Sequence, residues 1–409
     1  MNTESPAHVV IVGASLAGLR AVETARDSGF KGRITLIGEE PHLPYDRPPL
    51  SKEFLQEGPP TTAHHLPEVD TLVDDPNIDL ALGTRATGMD ASNHLIRTSD
   101  GFEILYDAAL IATGVRARVL PGSDRLAGVH VLRTLDDAGA IRAGLDAGAR
   151  VVVIGGGFIG AEVASAAARR GRPAVVVEAA ATPLVRAVGT TAGAALAGLH
   201  ARHGTELHCG VGVTALLGNS RVEAVALDDG SEIPADLVVV GIGADPATDW
   251  LRGSGLTLDN GVVCNENMYA GDDVWAAGDV ARWNNPLFGR HMRLEHWTNA
   301  GEQAVHAMTN LLDPLEATAY QHVPYFWSDW YGRRIQFAGL PIGEPTVVSG
   351  AFDGDEFVAL YREDDRLVGV LTLDRRGDIM KYRTRIARGA DWESALEIAR
   401  KRNKSVSHA

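Results

Sequence analysis

Cysteine is nearly absent from this chain: two among 409 residues, Cys209 and Cys264, far apart in sequence. That argues for a reducing compartment and against a disulfide framework. It also removes redox-dithiol chemistry, because no cysteine pair at short spacing exists. Long apolar runs are missing as well. No stretch approaches the roughly 18 uninterrupted apolar residues needed to cross a bilayer. The N-terminus is polar and lacks the basic-then-apolar leader of an exported protein, so a cytoplasmic protein without membrane attachment is expected. Positive charge is in deficit. Lys and Arg number 38 against 53 Asp and Glu, a net charge of −15, and the chain as a whole repels nucleic acid. The histidines are scattered: His42 and the pair His64-His65 show no ligand spacing with cysteines or carboxylates, so no metal site is expected. No nucleophile elbow, serine–histidine–aspartate order or low-complexity segment stands out.

What is present is glycine in two particular places. Gly13-Ala14-Ser15-Leu16-Ala17-Gly18 follows the strand-like His8-Val9-Val10-Ile11-Val12. Gly155-Gly156-Gly157-Phe158-Ile159-Gly160 follows Val151-Val152-Val153-Ile154. Each turn opens a helix-like run, and each helix leads to an apolar strand ending at an acid: Glu39, 21 residues after Gly18, and Glu178, 18 after Gly160. Such a turn sets backbone N–H groups and a helix N-terminus against a pyrophosphate, while the acid accepts hydrogen bonds from a ribose. A lone glycine motif is weak, but strand, turn, helix, strand and acid fall in order twice. The first turn departs from the pattern, with Ser15 at the middle glycine. Glu178 would bond a free ribose diol and repel a 2′-phosphate, and Ala179, Ala180 and Ala181 follow it without an arginine. NADH is therefore favoured over NADPH. Two units hold two dinucleotides, an arrangement suited to passing electrons between them.

With 409 residues, 45% apolar and 22% charged, two or three soluble domains are expected. Residues 17–28 read as the first helix, stopped by Gly29. A proline-bearing loop follows over 41–52, where helix or central strand is excluded through Pro49. Apolar strands near 108–112 and 237–243 bracket a complete second strand–turn–helix unit, so the second nucleotide domain reads as inserted into the first. From about residue 320, short alternating runs at 324–330, 334–338, 346–351, 357–361 and 367–373 read as an antiparallel sheet. Helices at 379–388 and 392–401 close the chain. The fold class is α/β, with two Rossmann-like dinucleotide-binding domains and a C-terminal α+β domain. The boundaries are 1–114 and 242–319 for the first dinucleotide domain, 115–241 for the second, and 320–409 for the third.

Several short motifs occur in one order. They are Tyr45-Asp46-Arg47-Pro48-Pro49-Leu50-Ser51-Lys52, Ala112-Thr113-Gly114, Leu132-Arg133-Thr134, the second turn through Glu162, Ala277-Gly278-Asp279, Arg293-Leu294-Glu295-His296-Trp297-Thr298-Asn299-Ala300 and Tyr325-Phe326-Trp327-Ser328-Asp329. As a set they resemble the FAD- and NADH-dependent ferredoxin reductases of bacterial oxygenase systems, the family of putidaredoxin reductase and the biphenyl dioxygenase reductase. The resemblance covers nearly the whole chain. It implies a glutathione-reductase-like fold without the redox dithiol. It implies FAD held by Gly13, Ser15, Ala17, Gly18, Glu39, Arg47, Lys52, Ala86, Ala112, Thr113, Gly114, Arg133, Asp279 and Trp297. Ala17 would line the phosphates, Glu39 the ribose, and Asp279 the ribityl or phosphate region. NADH would be held by Gly155, Gly157, Phe158, Ile159, Gly160, Glu162, Glu178 and Gly243. Lys52, Glu162 and Trp297 would lie nearest the reacting rings, Lys52 as a cation beside the flavin and Glu162 near the nicotinamide.

Plainer readings stand beside these. Lys52 as a solvated loop lysine, Arg133 and Glu162 as surface pairs, Trp297 as core, and His296 as structural all remain open. The partner implied is a small acidic iron–sulfur ferredoxin feeding an oxygenase. Basic groups at Arg290 and Arg293, Arg333 and Arg334, and along 375–388 are candidates to steer it; solvated faces are the alternative. An NADH oxidase or rubredoxin reductase on the same scaffold, or a redox-interaction flavoprotein resembling apoptosis-inducing factor, are the other functions to separate.

Overall fold

The structure, a computed structural model, describes residues 6–58, 66 and 69–406; His64 and His65 lie outside the described residues. The chain divides into two compact units. One holds the described residues of 1–46, 63–116 and 245–322, the other those of 47–62, 117–244 and 323–409.

The first unit is built on a six-stranded sheet. Its order is Tyr269–Gly271, Val274–Ala276, Ala108–Ile111, His8–Val12, Arg33–Gly38, Ile78–Leu82. The last five strands are parallel neighbours. His8–Val12 is buried almost throughout, as a β-branched run covered on both faces must be. The helix Leu16–Asp27 packs against the helix Trp297–Leu312. It ends where Gly29 takes φ +83, a conformation that glycine adopts without Cβ strain. Thus the first helix lies within one residue of its expected span.

The second unit carries a five-stranded parallel sheet in the order Glu206–Cys209, Val175–Glu178, Val151–Ile154, Leu237–Val240, Val129–Val131. Its segment 117–244 interrupts the first unit's chain, which is the insertion expected from the two glycine turns. The same unit contains an antiparallel sheet, Tyr325–Trp330, Arg333–Gly339, Arg366–Leu373, Phe357–Glu363, Thr346–Gly350. The helices Arg376–Ala387 and Trp392–Val406 follow it. A shared core joins this sheet (Trp330, Ile335, Phe337, Phe357, Tyr361, Leu371) to Leu184, Val188, Ala192, Leu196 and Leu199 of the inserted segment.

The proline loop corrects one expectation. Pro48–Ser51 is a 3-10 turn followed by a second, Glu53–Leu55. Proline is tolerated at the first turn of a helix, where its fixed φ is suitable and its missing N–H has no partner to lose. No helix among the described residues is long and apolar enough to cross a membrane.

Candidate functional site

In the first unit four strand ends lie side by side. Val12 leads into Gly13, Ile111 into Ala112-Thr113-Gly114, Gly38 into Glu39, and Ala276 into Ala277-Gly278-Asp279. Because these strands are parallel, the four segments emerge at one carboxyl edge, where open α/β sheets bind nucleotides. Gly13 has φ +123, and a Cβ there would lie 2.1 Å from the Ala112 carbonyl oxygen; one on Gly18 would lie 1.9 Å from that of Gly13. Backbone contact alone therefore demands both glycines. The Gly13 N–H donates to the Ile37 carbonyl at 2.8 Å. Ser15 precedes the helix in extended backbone. A Cβ on Gly278, which has φ +77, would stand 3.3 Å from Ala17 Cβ, and its N–H donates to Gln303 Oε1 at 2.8 Å. Asp279 thus follows a glycine seated on the first turn of the Leu16–Asp27 helix. Thr113 donates from Oγ1 to the Ala247 carbonyl at 3.0 Å. Ala86 is buried at the start of Ala86–Asp90. Glu39 is exposed and pairs with Arg116 at 3.1 Å, a partner that sequence reading did not identify.

The second unit repeats this geometry with the other turn. Gly155 has φ +107, and a Cβ there would lie 2.3 Å from the Gly241 carbonyl oxygen; one on Gly160 would lie 2.1 Å from that of Gly155. The Gly155 N–H donates to the Val177 carbonyl at 2.7 Å, matching Gly13. At Gly157 the nearest atom to an added Cβ is 3.9 Å away, so the fold itself does not require glycine there. The middle glycine of the fingerprint serves the approach of a pyrophosphate, and an open cradle at Gly157 fits that group. Glu178 accepts from the Gly156 N–H through Oε2 (2.7 Å) and from the Ala180 N–H through Oε1 (2.8 Å). Its carboxylate is thereby held beside the glycine turn. Gly243 has φ +104, and a Cβ there would stand 3.7 Å from an Arg118 guanidinium nitrogen and 3.9 Å from one of Arg186. Sequence reading passed over both cations. Ile159 is exposed, and Phe158 packs its ring on Phe326 with centroids 4.5 Å apart.

Lys52 and Glu162 meet in the second unit. Glu162 sits on the helix Phe158–Arg169, buried. It accepts from four donors: Ser51 Oγ at 2.5 Å, Lys52 Nζ at 2.8 Å, Ser328 Oγ at 2.5 Å and the Asp329 N–H at 3.2 Å. Trp330 donates from Nε1 to Ser328 Oγ at 2.8 Å. A buried carboxylate is costly unless its lone pairs are satisfied, and here they are. Lys52 is not a solvated loop lysine, since its side chain is 12% exposed and ion-paired. Ser51 and Ser328 lie in the proline-loop and first C-terminal strand motifs, but nothing in the sequence shows that they converge on Glu162.

The remaining candidates differ in setting. Arg47 donates from a guanidinium N–H to the Arg133 carbonyl at 2.7 Å, and the Arg133 N–H donates to Asp137 at 3.0 Å. Trp297 is not core. It is 38% exposed and donates from its indole N–H to Asp46 at 2.7 Å. His296, one residue earlier, is buried, and burial pushes its pKa down to about 3, so it is neutral. Burial likewise pushes the Cys264 thiol up to about 12, and burial followed by the Glu178 charge raises Cys209.

Four of the clustered arginines are ion-paired. Arg293 pairs with Glu295 at 2.8 Å. Arg333 pairs with Asp355 and Asp374, Arg334 with both oxygens of Asp329, and Arg375 with Glu356 and Asp378. Carboxylates two to some forty positions away thus pair with these four arginines. Arg290 is exposed.

Two family descriptions match the chain: pyridine nucleotide-disulphide oxidoreductase over residues 7–304 and reductase C-terminal over residues 325–401. Rhodocoxin reductase of Rhodococcus erythropolis is 36% identical, spanning 97% of this chain and 95% of that protein. The ferredoxin–NAD(+) reductase component of the p-cumate 2,3-dioxygenase system of Pseudomonas putida is 36% identical, spanning 92% of each. Among solved structures, the covalent putidaredoxin reductase–putidaredoxin complex superposes with a TM-score of 0.89 at 33% identity, covering 98% of this chain and 100% of that one.

Proposed function

The chain belongs to the pyridine nucleotide-disulphide oxidoreductases and ends in their reductase C-terminal domain, and from that premise we propose an FAD-containing NADH:ferredoxin oxidoreductase serving an oxygenase. The observation that carries the reading is the pair of glycine cradles, in which backbone contact demands Gly13, Gly18, Gly155 and Gly160. Relatives named as ferredoxin–NAD(+) reductase components of dioxygenase systems supply the acceptor. When bound, FAD supplies two-electron acceptance from NADH and one-electron release to an iron–sulfur centre.

The chain's residues bind, orient and set charge. Residues 1–114 and 242–319 make the FAD-binding domain, 115–241 the NADH-binding domain and 320–409 the C-terminal α+β domain, with single residues such as Arg133 and Gly243 serving the neighbouring cofactor. Gly13, Ser15, Ala17 and Gly18 receive the FAD phosphates at a helix N-terminus. Glu39 takes the ribose, while Ala86, Ala112, Thr113, Gly114, Arg47, Arg133 and Asp279 line the rest. Gly155, Gly157, Phe158, Ile159, Gly160 and Gly243 receive NADH, with Glu178 on its adenosine ribose. Lys52 supplies a positive charge toward the flavin, paired with Glu162, and Trp297 flanks the ring. No side chain has to act as nucleophile or general acid. The two cysteines and the charge balance fit a cytoplasmic location.

Stopped-flow reduction by NADH, followed by mixing with small acidic iron–sulfur proteins, tests the proposal. Flavin absorbance should bleach with NADH and return as the carrier is reduced. Rapid oxygen consumption without a carrier would make the protein an oxidase. A long-lived charge-transfer complex with very slow turnover would favour the apoptosis-inducing-factor-like reading. Purified protein that stays colourless after incubation with FAD would end the proposal.

A further inference from the structure

We propose that Arg142 and Arg170 are positioning residues for Lys52: they fasten the backbone that follows it and so hold its ammonium against Glu162. The last carbonyls of a short helical turn have no partner within the turn. The turn Glu53–Leu55 and the three residues after it leave four such oxygens, and two guanidiniums take them. Arg142 donates to the Phe54 carbonyl at 2.6 Å and the Gly58 carbonyl at 2.5 Å. Arg170 donates to the Leu55 carbonyl at 2.7 Å and the Gln56 carbonyl at 2.9 Å. Asp146 faces both cations, 2.5 Å from Arg170 and 3.7 Å from Arg142.

The side chains of Arg142 and Arg170 are only 8% and 3% exposed. Burying two cations is expensive, and apolar side chains of similar volume commonly stabilise as well or better. What arginine adds is a rigid planar fork able to fix two oxygens at once. Arg142 lies on the helix Leu135–Asp146, while Arg170 caps the helix Phe158–Arg169 that also carries Glu162. One helix therefore grips the segment twice, Glu162 at Ser51 and Lys52 and Arg170 at Leu55 and Gln56. The two grips are eight residues apart, about 12 Å along the helix. Two fixed points define where the intervening backbone, and with it Lys52, must sit.

The inference rests on the proposed role of Lys52 beside the flavin, and the experiment separates the two. Arg142→Met, Arg170→Met, Asp146→Asn, Lys52→Met and the double variant Arg170→Met/Lys52→Met are prepared with FAD. The FAD midpoint potential, the rate constant of reduction by NADH and amide exchange over residues 50–56 are measured. Lys52→Met should lower the potential and slow reduction. The arginine variants should shift both the same way, to a smaller extent. They should also speed exchange at the Lys52, Leu55 and Gln56 amides about tenfold, the size of losing one charge-assisted hydrogen bond. In the double variant, Arg170→Met should add no further shift in potential. Asp146 is half-exposed and pairs with both arginines, so Asp146→Asn should give a weaker form of the same shift and decides the matter if a methionine variant does not fold. Wild-type potential and rate in the folded clamp variants, or an additive shift in the double variant, overturns the positioning role and leaves Lys52 standing. An unchanged potential and rate in Lys52→Met overturns the role of Lys52 itself.

Discussion

At the scale of single residues, the two glycine turns separate what the fold needs from what a ligand needs. A Cβ on Gly160 would lie 2.1 Å from the Gly155 carbonyl oxygen, whereas one on Gly157 would meet nothing closer than 3.9 Å. Gly160→Ala should therefore destabilise the protein by about 2 kcal/mol or more, the range of a strained or overpacked site. Gly157→Ala should leave the melting temperature unchanged and still weaken NADH binding, because only the cofactor needs that space. Calorimetry beside NADH titration checks both, and unaltered NADH affinity in Gly157→Ala would remove the pyrophosphate from this turn. Glu178 permits a second test at this scale. Its two backbone N–H bonds hold a carboxylate where a ribose diol can reach it. Glu178→Ala with Ala180→Arg should cost NADH about 1.5–3 kcal/mol of binding, roughly 10- to 150-fold in kcat/KM, while improving NADPH. A parent protein that already prefers NADPH would overturn this assignment.

At the scale of elements, strands and turns were largely legible. The five runs read from 324 onward correspond to Tyr325–Trp330, Arg333–Gly339, Thr346–Gly350, Phe357–Glu363 and Arg366–Leu373, because alternation with period two is a local signature of a half-buried strand. Legibility failed at the proline loop, where tertiary contacts settle residues 48–55 into two 3-10 turns. It also failed for polar contacts between elements. His200, on the helix Thr190–Arg202, meets the Tyr331 hydroxyl at 2.7 Å through Nδ1, and burial lowers its pKa to about 4. Since the unfolded chain takes up a proton near pH 6.5 and the folded one does not until about pH 4, stability is intact above pH 6.5. It declines as the pH falls between those values. The loss from pH 7 to pH 5 should be about 2 kcal/mol from this group. Urea midpoints at the two pH values should differ less in His200→Gln; an equal difference would assign the acid sensitivity elsewhere, with the neutral His296 the next candidate.

For the molecule as a whole, the C-terminal sheet is a structural part of its unit. Its large side chains, among them Trp330, Phe337 and Tyr361, share one core with Leu196 and Leu199, and Tyr361 donates from its hydroxyl to the Val188 carbonyl at 2.6 Å. A chain ending at residue 322 would expose that apolar surface at about 25 cal/mol per Å². It should be recovered aggregated, whereas a soluble, NADH-binding fragment of native-like circular dichroism would show the core to be dispensable. Charge acts at this scale too. With a net charge of −15 and Arg333, Arg334 and Arg375 already paired, long-range attraction to an acidic ferredoxin is weak. Its reduction rate should change less than tenfold between about 10 mM and 300 mM salt, against the far steeper dependence of strongly steered pairs. A steep fall with salt would reveal a basic surface that the ion pairs conceal.

By itself the sequence determined the two dinucleotide turns, their order, the insertion of one domain in the other and the absence of a dithiol. Those features depend on short-range sterics: a positive φ, and a Cβ that would strike the carbonyl of a neighbouring strand. Only the tertiary structure decided that Ala112 and Gly278 border the first turn, that Glu162 collects donors from Ser51, Lys52 and Ser328, and that Arg142 and Arg170 clamp the segment between. Lys52 and Glu162 stand 110 residues apart, and no local periodicity encodes a contact that exists only once the proline loop, a helix and a strand have packed.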